Sequence, residues 1–274
     1  GVQTCALPIF PAQDPIVSVP TPAMFDAGDG VSIAYHRTVG KSPTLVFLGG
    51  FMSDMTGAKA LAVEALARSR GQACLRFDYR GHGASSGRFE DGTIGMWARD
   101  ALTAIDRLID GPLVLVRSSM GAWIALLVLR ERRARVRGLV GIAPAPDFTE
   151  ALIWPSLTPE LRAELARTGV LHKPSPYGSR PTPITRALIE DGRRHLVLGS
   201  PIDFGGPVRI LHGMQDPDVP WRRSLDLVER FTAQDARLTL IKDGDHRLSR
   251  AQDLSLLSAT LHEILDLPAV AGGV

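Results

Sequence analysis

Leu113-Val114-Leu115-Val116-Arg117-Ser118-Ser119-Met120-Gly121-Ala122-Trp123-Ile124-Ala125-Leu126-Leu127 is the stretch that decides the fold. Four apolar residues read as a buried strand, and the residues from Ala122 onward read as a helix. Between them lies a sharp turn that carries Ser119. Strand, turn, serine and helix in that order form the setting of a nucleophile elbow. The turn lifts the Ser119 hydroxyl clear of the backbone. The helix that follows aims its positive end and the Met120 amide at the same point. One residue departs from the Gly-x-Ser-x-Gly pattern: the first glycine is Arg117.

Outward from the elbow, strands and helices alternate. Strands are expected over Thr44–Leu48, Ala73–Asp78, Leu113–Ser118 and Val136–Ile142. Helices are expected over Thr56–Arg70, Ile94–Ile109 and Met120–Arg133. The strands are nearly continuous apolar runs, as required when helices cover both faces of a parallel sheet. A hairpin at Asp29-Gly30 precedes them. From Asp147 to about Gly206 the rhythm breaks into short helical pieces (Pro159–Arg167, Ile184–Arg194) among many prolines. This reads as a lid inserted over the sheet's C-terminal edge, where open α/β sheets bind ligands. Strand Val208–Leu211, helix Ser224–Thr232, strand Arg237–Ile241 and helix Gln252–Leu265 complete the pattern. The fold class is α/β, one mostly parallel doubly wound domain over residues 23–274 with a lid at about 147–206.

Composition excludes more than it selects. The 274 residues carry a net charge of +2, which favours no polyanionic partner. Arg130, Arg132, Arg133, Arg135 and Arg137 cluster where a helix ends, and complement its dipole rather than form a nucleic-acid footprint. The two cysteines, Cys5 and Cys74, make no disulfide framework. No apolar run has transmembrane length. Residues 1–22 form an irregular, Pro-rich tail, and its first nine residues resemble translated sequencing-adapter read-through.

A serine hydroxyl needs a base in hydrogen-bond contact, and the base needs an orienting acid. His246, in the turn-rich loop Lys242-Asp243-Gly244-Asp245-His246-Arg247, is the best placed of seven histidines. His262 lies in the terminal helix pattern, and His212 reads as a residue that shapes a turn. For the acid, Asp216 is preferred over Asp218 on motif position; Asp218 reads as a turn or cap residue before Pro220-Trp221. Oxyanion donors are expected from the Met120 amide and from the loop Gly49-Gly50-Phe51, with Phe51 as the second amide. No metal is expected: His82 stands alone, and no clustered ligand spacing occurs. Gly81-x-Gly83 lacks the rest of a phosphate fingerprint, so no cofactor is expected either.

Several of these motifs also carry a family resemblance. They are Phe51-Met52-Ser53-Asp54-Met55, Phe77-Asp78-Tyr79-Arg80-Gly81, Ser118-Ser119-Met120-Gly121-Ala122-Trp123, His212-Gly213-Met214-Gln215-Asp216 and Asp245-His246-Arg247. They resemble the α/β-hydrolases similar to the mitochondrial palmitoyl-protein thioesterase, also described as an acyl-glucuronide esterase. The order Ser119, Asp216, His246 is that of the α/β-hydrolase fold. The resemblance implies this triad, an acyl-enzyme intermediate, and hydrolysis of acyl thioesters or esters, including depalmitoylation. The partner is then a small-molecule or S-acylated substrate. The chain looks like a bacterial relative, hence cytoplasmic, or mitochondrial if eukaryotic.

Apolar residues of the lid, Phe148 and Trp154 among them, are expected either to hold the acyl chain or to fasten the lid to the core. The alternatives are a C–C bond hydrolase or small peptidase on the same scaffold, or a non-catalytic binding protein with a decayed elbow. The last rests on Arg117, whose side chain should either escape to solvent or distort the turn. Oligomeric state is left open by the sequence.

Overall fold

The computed structural model describes residues 21–174 and 181–268. The expected tail lies almost wholly outside them. An antiparallel pair, β1 (Ala23–Asp26) and β2 (Ser32–Thr38), opens the fold. There follow β3 (Lys41–Leu48), α1 (Ala58–Arg70), β4 (Gln72–Phe77), α2 (Ile94–Leu108), β5 (Leu113–Ser118), α3 (Met120–Arg132) and β6 (Val136–Ile142). An insertion separates β6 from β9. It holds a π-helical turn (Thr149–Ile153), α4 (Trp154–Ser156), α5 (Pro159–Thr168), β7 (Val170–Lys173), β8 (Thr182–Thr185) and α6 (Arg186–Arg194). The chain closes with β9 (Val208–Gly213), α7 (Arg222–Arg230), β10 (Ala236–Ile241) and α8 (Ala251–Asp266).

One eight-stranded sheet runs in the order β1-β2-β4-β3-β5-β6-β9-β10. The six strands from β4 to β10 in this order are mutually parallel, and β2 runs antiparallel to β4. Alternation along each strand divides the core in two. Val46, Leu48, Leu113, Leu115 and Ile210 face a cluster built with α2, α3 and α7. Leu45, Phe47, Val114, Val116 and Leu211 face the opposite cluster, built with α1 and α8. Both strand faces are therefore dry, which is why these strands carry no polar alternation.

Local chemistry sets the helix ends. Gly71, at φ 62°, terminates α1 in the left-handed conformation and returns its amide to the Ala67 and Arg68 carbonyls. The Thr185 hydroxyl caps α6 by accepting from the Leu188 amide at 3.0 Å.

The insertion differs from its expected form. Thr182–Thr185 is a strand paired with Val170–Lys173, so α6 starts at Arg186 rather than Ile184. The β-branched residues of Thr182-Pro183-Ile184-Thr185 suit that hairpin, which local periodicity did not show. Leu157, Leu165, Leu171, Ile184 and Ile189 give the insertion a small core of its own. Three contacts tie it to the main body or close it on itself. Asp147 accepts the Val197 and Leu198 amides at 2.9 Å each, Asp191 accepts the Gly95 amide at 2.7 Å, and Trp123 Nε1 donates to the His195 carbonyl at 2.8 Å.

Candidate active site

The C-terminal ends of four parallel strands deliver the site. Ser119 follows β5, with φ 51° and ψ −119°, a conformation that a non-glycine residue holds only under constraint. The constraint is visible: the Ser119 amide donates to the Ile142 carbonyl at 3.0 Å, and its carbonyl accepts from Ala122 and Ala145 at 2.9 and 3.1 Å. Gly121 lets α3 close onto β3, since a Cβ there would lie 2.1 Å from the Leu48 carbonyl oxygen. Ala122, the next residue, is fully buried.

Arg117 takes neither route expected for it. Its side chain is fully buried, and the strand and turn keep their geometry. The guanidinium lies against Gly141 of β6, where the missing side chain makes room, and its centre sits 5.9 Å from the Phe231 ring. Among the described residues, none of its three nitrogens has a hydrogen-bond partner. Burial drags its pKa down to about 9, still above neutrality, so the group remains a cation.

The three side chains expected to act together meet above the turn. His246 Nε2 stands 3.1 Å from Ser119 Oγ, and His246 Nδ1 stands 2.7 Å from Asp216 Oδ2. Asp216 Oδ1 accepts the Asp218 and Val219 amides at 2.8 Å each. Burial alone would raise the Asp216 pKa. Hydrogen bonds from His212 and His246 outweigh it and hold the carboxyl well below the usual carboxylate range. Gly213 permits the close passage of the histidine loop, because a Cβ there would meet the Gly244 carbonyl oxygen at 2.2 Å.

Folding also groups Asp216, Asp218 and His246, with ligand atoms within 4.8 Å of one another. The meeting of Asp216 with His246 was expected; the nearness of Asp218 to both was not, since it reads from the sequence as a turn residue. His246 Nδ1 and Asp216 are engaged with each other there, which is how a base and its orienting acid sit.

Gly50 packs against the serine, its own side-chain position 3.3 Å from Ser119 Cβ. Phe51, the next residue, lines the same cavity as Ser119 and Met120. Among the described residues, neither the Phe51 nor the Met120 amide donates to another group. A cavity of about 1010 Å³ opens over these atoms, with Phe51, Met120, Phe148, Leu152, Ile153 and Val219 on its apolar walls. Phe148 meets the Phe51 and Trp123 rings edge-on at 5.6 and 5.7 Å. Trp154 does not join it. Its ring is clasped between Arg162 and Arg193, at 4.6 and 4.5 Å, and its neighbours Leu152 and Ile153 form the wall instead. The π-helical turn shifts the side-chain register there, which an α-helical period does not anticipate.

Sequence reading missed His212. Its ring is fully buried and Nε2 lies 3.0 Å from Asp216 Oδ2. The signal was its spacing: a histidine four residues before the acid, at the last turn of a strand.

Residues 41–188 match the family model described as serine aminopeptidase, S33. The mitochondrial palmitoyl-protein thioesterase ABHD10 of Homo sapiens is 39% identical over 236 residues, which span 86% of this chain and 77% of that protein. The chain belongs to this α/β-hydrolase family. A protein of Agrobacterium vitis S4 of known crystal structure is similar at 46% identity, with a TM-score of 0.86 over 90% of this chain and all of that one. The mouse alpha/beta hydrolase domain-containing protein 10 is similar at 37% identity, with a TM-score of 0.83 over 90% of this chain and 99% of that one. As a member of this α/β-hydrolase family the protein is a serine hydrolase. No helix among the described residues is long and apolar enough to cross a membrane.

Proposed function

We propose that the protein hydrolyses acyl thioesters and carboxylic esters through an acyl-enzyme, with Ser119 as nucleophile. The observation that carries this is the continuous hydrogen-bond chain from Ser119 Oγ through His246 to Asp216, at 3.1 and 2.7 Å. His246 Nε2 takes the hydroxyl proton as Ser119 Oγ attacks the acyl carbonyl. The tetrahedral oxyanion is held by the Phe51 and Met120 amides, which have no competing acceptor. His246 then protonates the departing thiol or alcohol, the carbonyl re-forms, and Ser119 carries the acyl group. Water activated by the same imidazole attacks that ester and releases the acid. Asp216 stays ionised throughout and holds the imidazole in its Nδ1–H tautomer.

The segment between β6 and β9 is the lid of this site, and Phe148 with Leu152 and Ile153 forms its acyl wall. The lining of the 1010 Å³ cavity is mixed, with Lys59 and Arg247 among its polar residues; its apolar part, around Phe148, Leu152 and Ile153, suits an acyl chain, which agrees with relatives named palmitoyl-protein thioesterases. S-acylated peptides or small acyl thioesters are accordingly the substrates to try. Cys74 is a buried free thiol whose pKa burial raises to about 12, so it is inert and takes no part in the proposed chemistry.

The test is direct. The purified chain should react with a fluorophosphonate and cleave p-nitrophenyl esters and acyl-CoA thioesters, and Ser119→Ala should do neither. Turnover retained by Ser119→Ala would remove this serine from the mechanism. Because the family model is named for an aminopeptidase, peptide amides belong in the same panel. Faster amide than thioester cleavage would reverse the substrate assignment.

A further inference from the structure

Asp216 is gripped by two imidazoles, and the proposed triad uses one of them. His212 is the penultimate residue of β9, and its ring is fully buried. Its Nε2 lies 3.0 Å from Asp216 Oδ2 and 3.0 Å from the Val219 carbonyl oxygen. Its Nδ1 lies 2.6 Å from Ser224 Oγ, on α7. An ionised carboxylate and a carbonyl are acceptors only, so Nε2 carries a proton. In the neutral ring Nδ1 then accepts, and the Ser224 hydroxyl donates to it. Both ring nitrogens are thereby satisfied, and the tautomer is the one that offers a donor to Asp216.

Four donors therefore converge on one carboxylate. The Asp218 and Val219 amides take Oδ1, and His212 and His246 share Oδ2. We propose that His212 is a positioning residue of the hydrolytic site, fixing the Asp216 rotamer and sharing the negative charge that Asp216 presents to His246. This rests on the reading of Ser119, His246 and Asp216 as the triad, and extends it by one member.

Two consequences follow from the geometry. The first is orientation. The terminal torsion of an aspartate is soft, and two turn amides on Oδ1 leave Oδ2 free to swing. A donor mounted on a strand, itself held by a hydroxyl on a helix, removes that freedom. His246 then finds its acceptor already in place, and Ser119 finds its base. The second is charge. An oxygen that accepts from two N–H groups gives less to each, so it stabilises the His246 imidazolium less than an unshared carboxylate would. Removing His212 would leave the whole of the Asp216 charge to His246.

The other charged groups near His246 are Asp218, Asp245 and Arg247, with Lys59 of α1 donating to the Arg247 carbonyl. None of them is altered by substituting His212. A change in the acid limb of the rate profile therefore reports on the shared carboxylate.

The experiment compares the full chain with His212→Leu, His212→Gln and Ser224→Ala. The kcat and KM for a p-nitrophenyl ester are followed from about pH 5 to 9, across the range in which imidazoles titrate. Rates are normalised to sites titrated with a fluorophosphonate, so misfolded protein does not count. His212→Leu should lower kcat about tenfold to a hundredfold with little change in KM, and should move the acid limb to higher pH. His212→Gln, whose amide can donate from nearly the same place, should recover most of both effects. Ser224→Ala should move the limb in the same direction by less. If the leucine variant does not fold, Ser224→Ala carries the test. An acid limb that stays put in every foldable variant reduces His212 to a packing residue and overturns the proposal. A wild-type chain that never reacts with fluorophosphonate would instead overturn the triad reading beneath it.

Discussion

Arg117 is a cation in a place built for none. Its guanidinium is fully buried beside Gly141 and Phe231, with no hydrogen-bond partner among the described residues. A contact at 5.9 Å is at the outer reach of a cation–π attraction and offsets little of the desolvation. Removing the charge while keeping the volume should therefore help the fold. Arg117→Met is expected to raise unfolding stability by about 1–4 kcal/mol, read from urea denaturation at neutral pH. A lower midpoint in the variant would mean that the cation has a partner after all. Asp216 is the opposite case, a buried charge fully served. Its folded pKa lies below its ordinary 3.8, so its ionisation adds stability above that pH, and the contribution fades as pH falls through the folded value. Asp216→Asn should thus be less stable than wild type at neutral pH, with the gap closing in acid. The same variant should lose about 10⁴ in kcat, by analogy with triads whose histidine tautomer is no longer fixed.

At the scale of elements, the site depends on how closely backbones approach. Gly121 and Gly213 leave 2.1 and 2.2 Å between a built Cβ and carbonyl oxygens of the neighbouring loop or strand. Gly121→Ala should push α3 off β3, cost about 1–3 kcal/mol and displace Ser119. Circular dichroism melts together with fluorophosphonate labelling rates would report both. The strain is local to this edge of the sheet. Met52, Ser119, Ala143, Asp147 and Leu248 hold positive φ values of 57, 51, 44, 56 and 42°, and each lies in a loop following β3, β5, β6 or β10. Asp147 uses its unusual backbone to catch the Val197 and Leu198 amides, fifty residues on. Asp147→Ala leaves two amides short of an acceptor and should loosen the proposed lid, at about 1–3 kcal/mol. Faster limited proteolysis between β6 and β9, with the core intact, is the expected result.

At the scale of the whole molecule, the sheet carries the proposed triad and the insertion supplies part of the cavity wall. A rate series over acyl chain length should rise toward long chains, and Leu152→Trp should flatten it by narrowing the cavity while leaving acetyl esters little affected. A series already flat in the wild type would remove the acyl-wall role. Much of this architecture was legible beforehand. Runs such as Leu113–Ser118 and Val136–Ile142 read as buried strands from their length and β-branched residues, and their alternation with helices leaves few topologies open. The hairpin of the insertion was not legible, because Val170–Lys173 and Thr182–Thr185 gain strand character from each other. Nor was the turned-away position of Trp154, since a π-helical register has no signature in hydrophobic spacing.

What the sequence alone determined is the set of chemical groups and their order: a serine at a strand-to-helix turn, an acid after β9, a histidine after β10, and glycines where backbones must touch. These are local facts, written in residue types and their spacing. Only the tertiary structure decided that Arg117 lies buried without a partner, that His212 shares the Asp216 carboxylate, and that the cavity is walled by Leu152 and Ile153 rather than Trp154. Each of these depends on distances between residues from separate elements, and such distances exist only once the layers have packed.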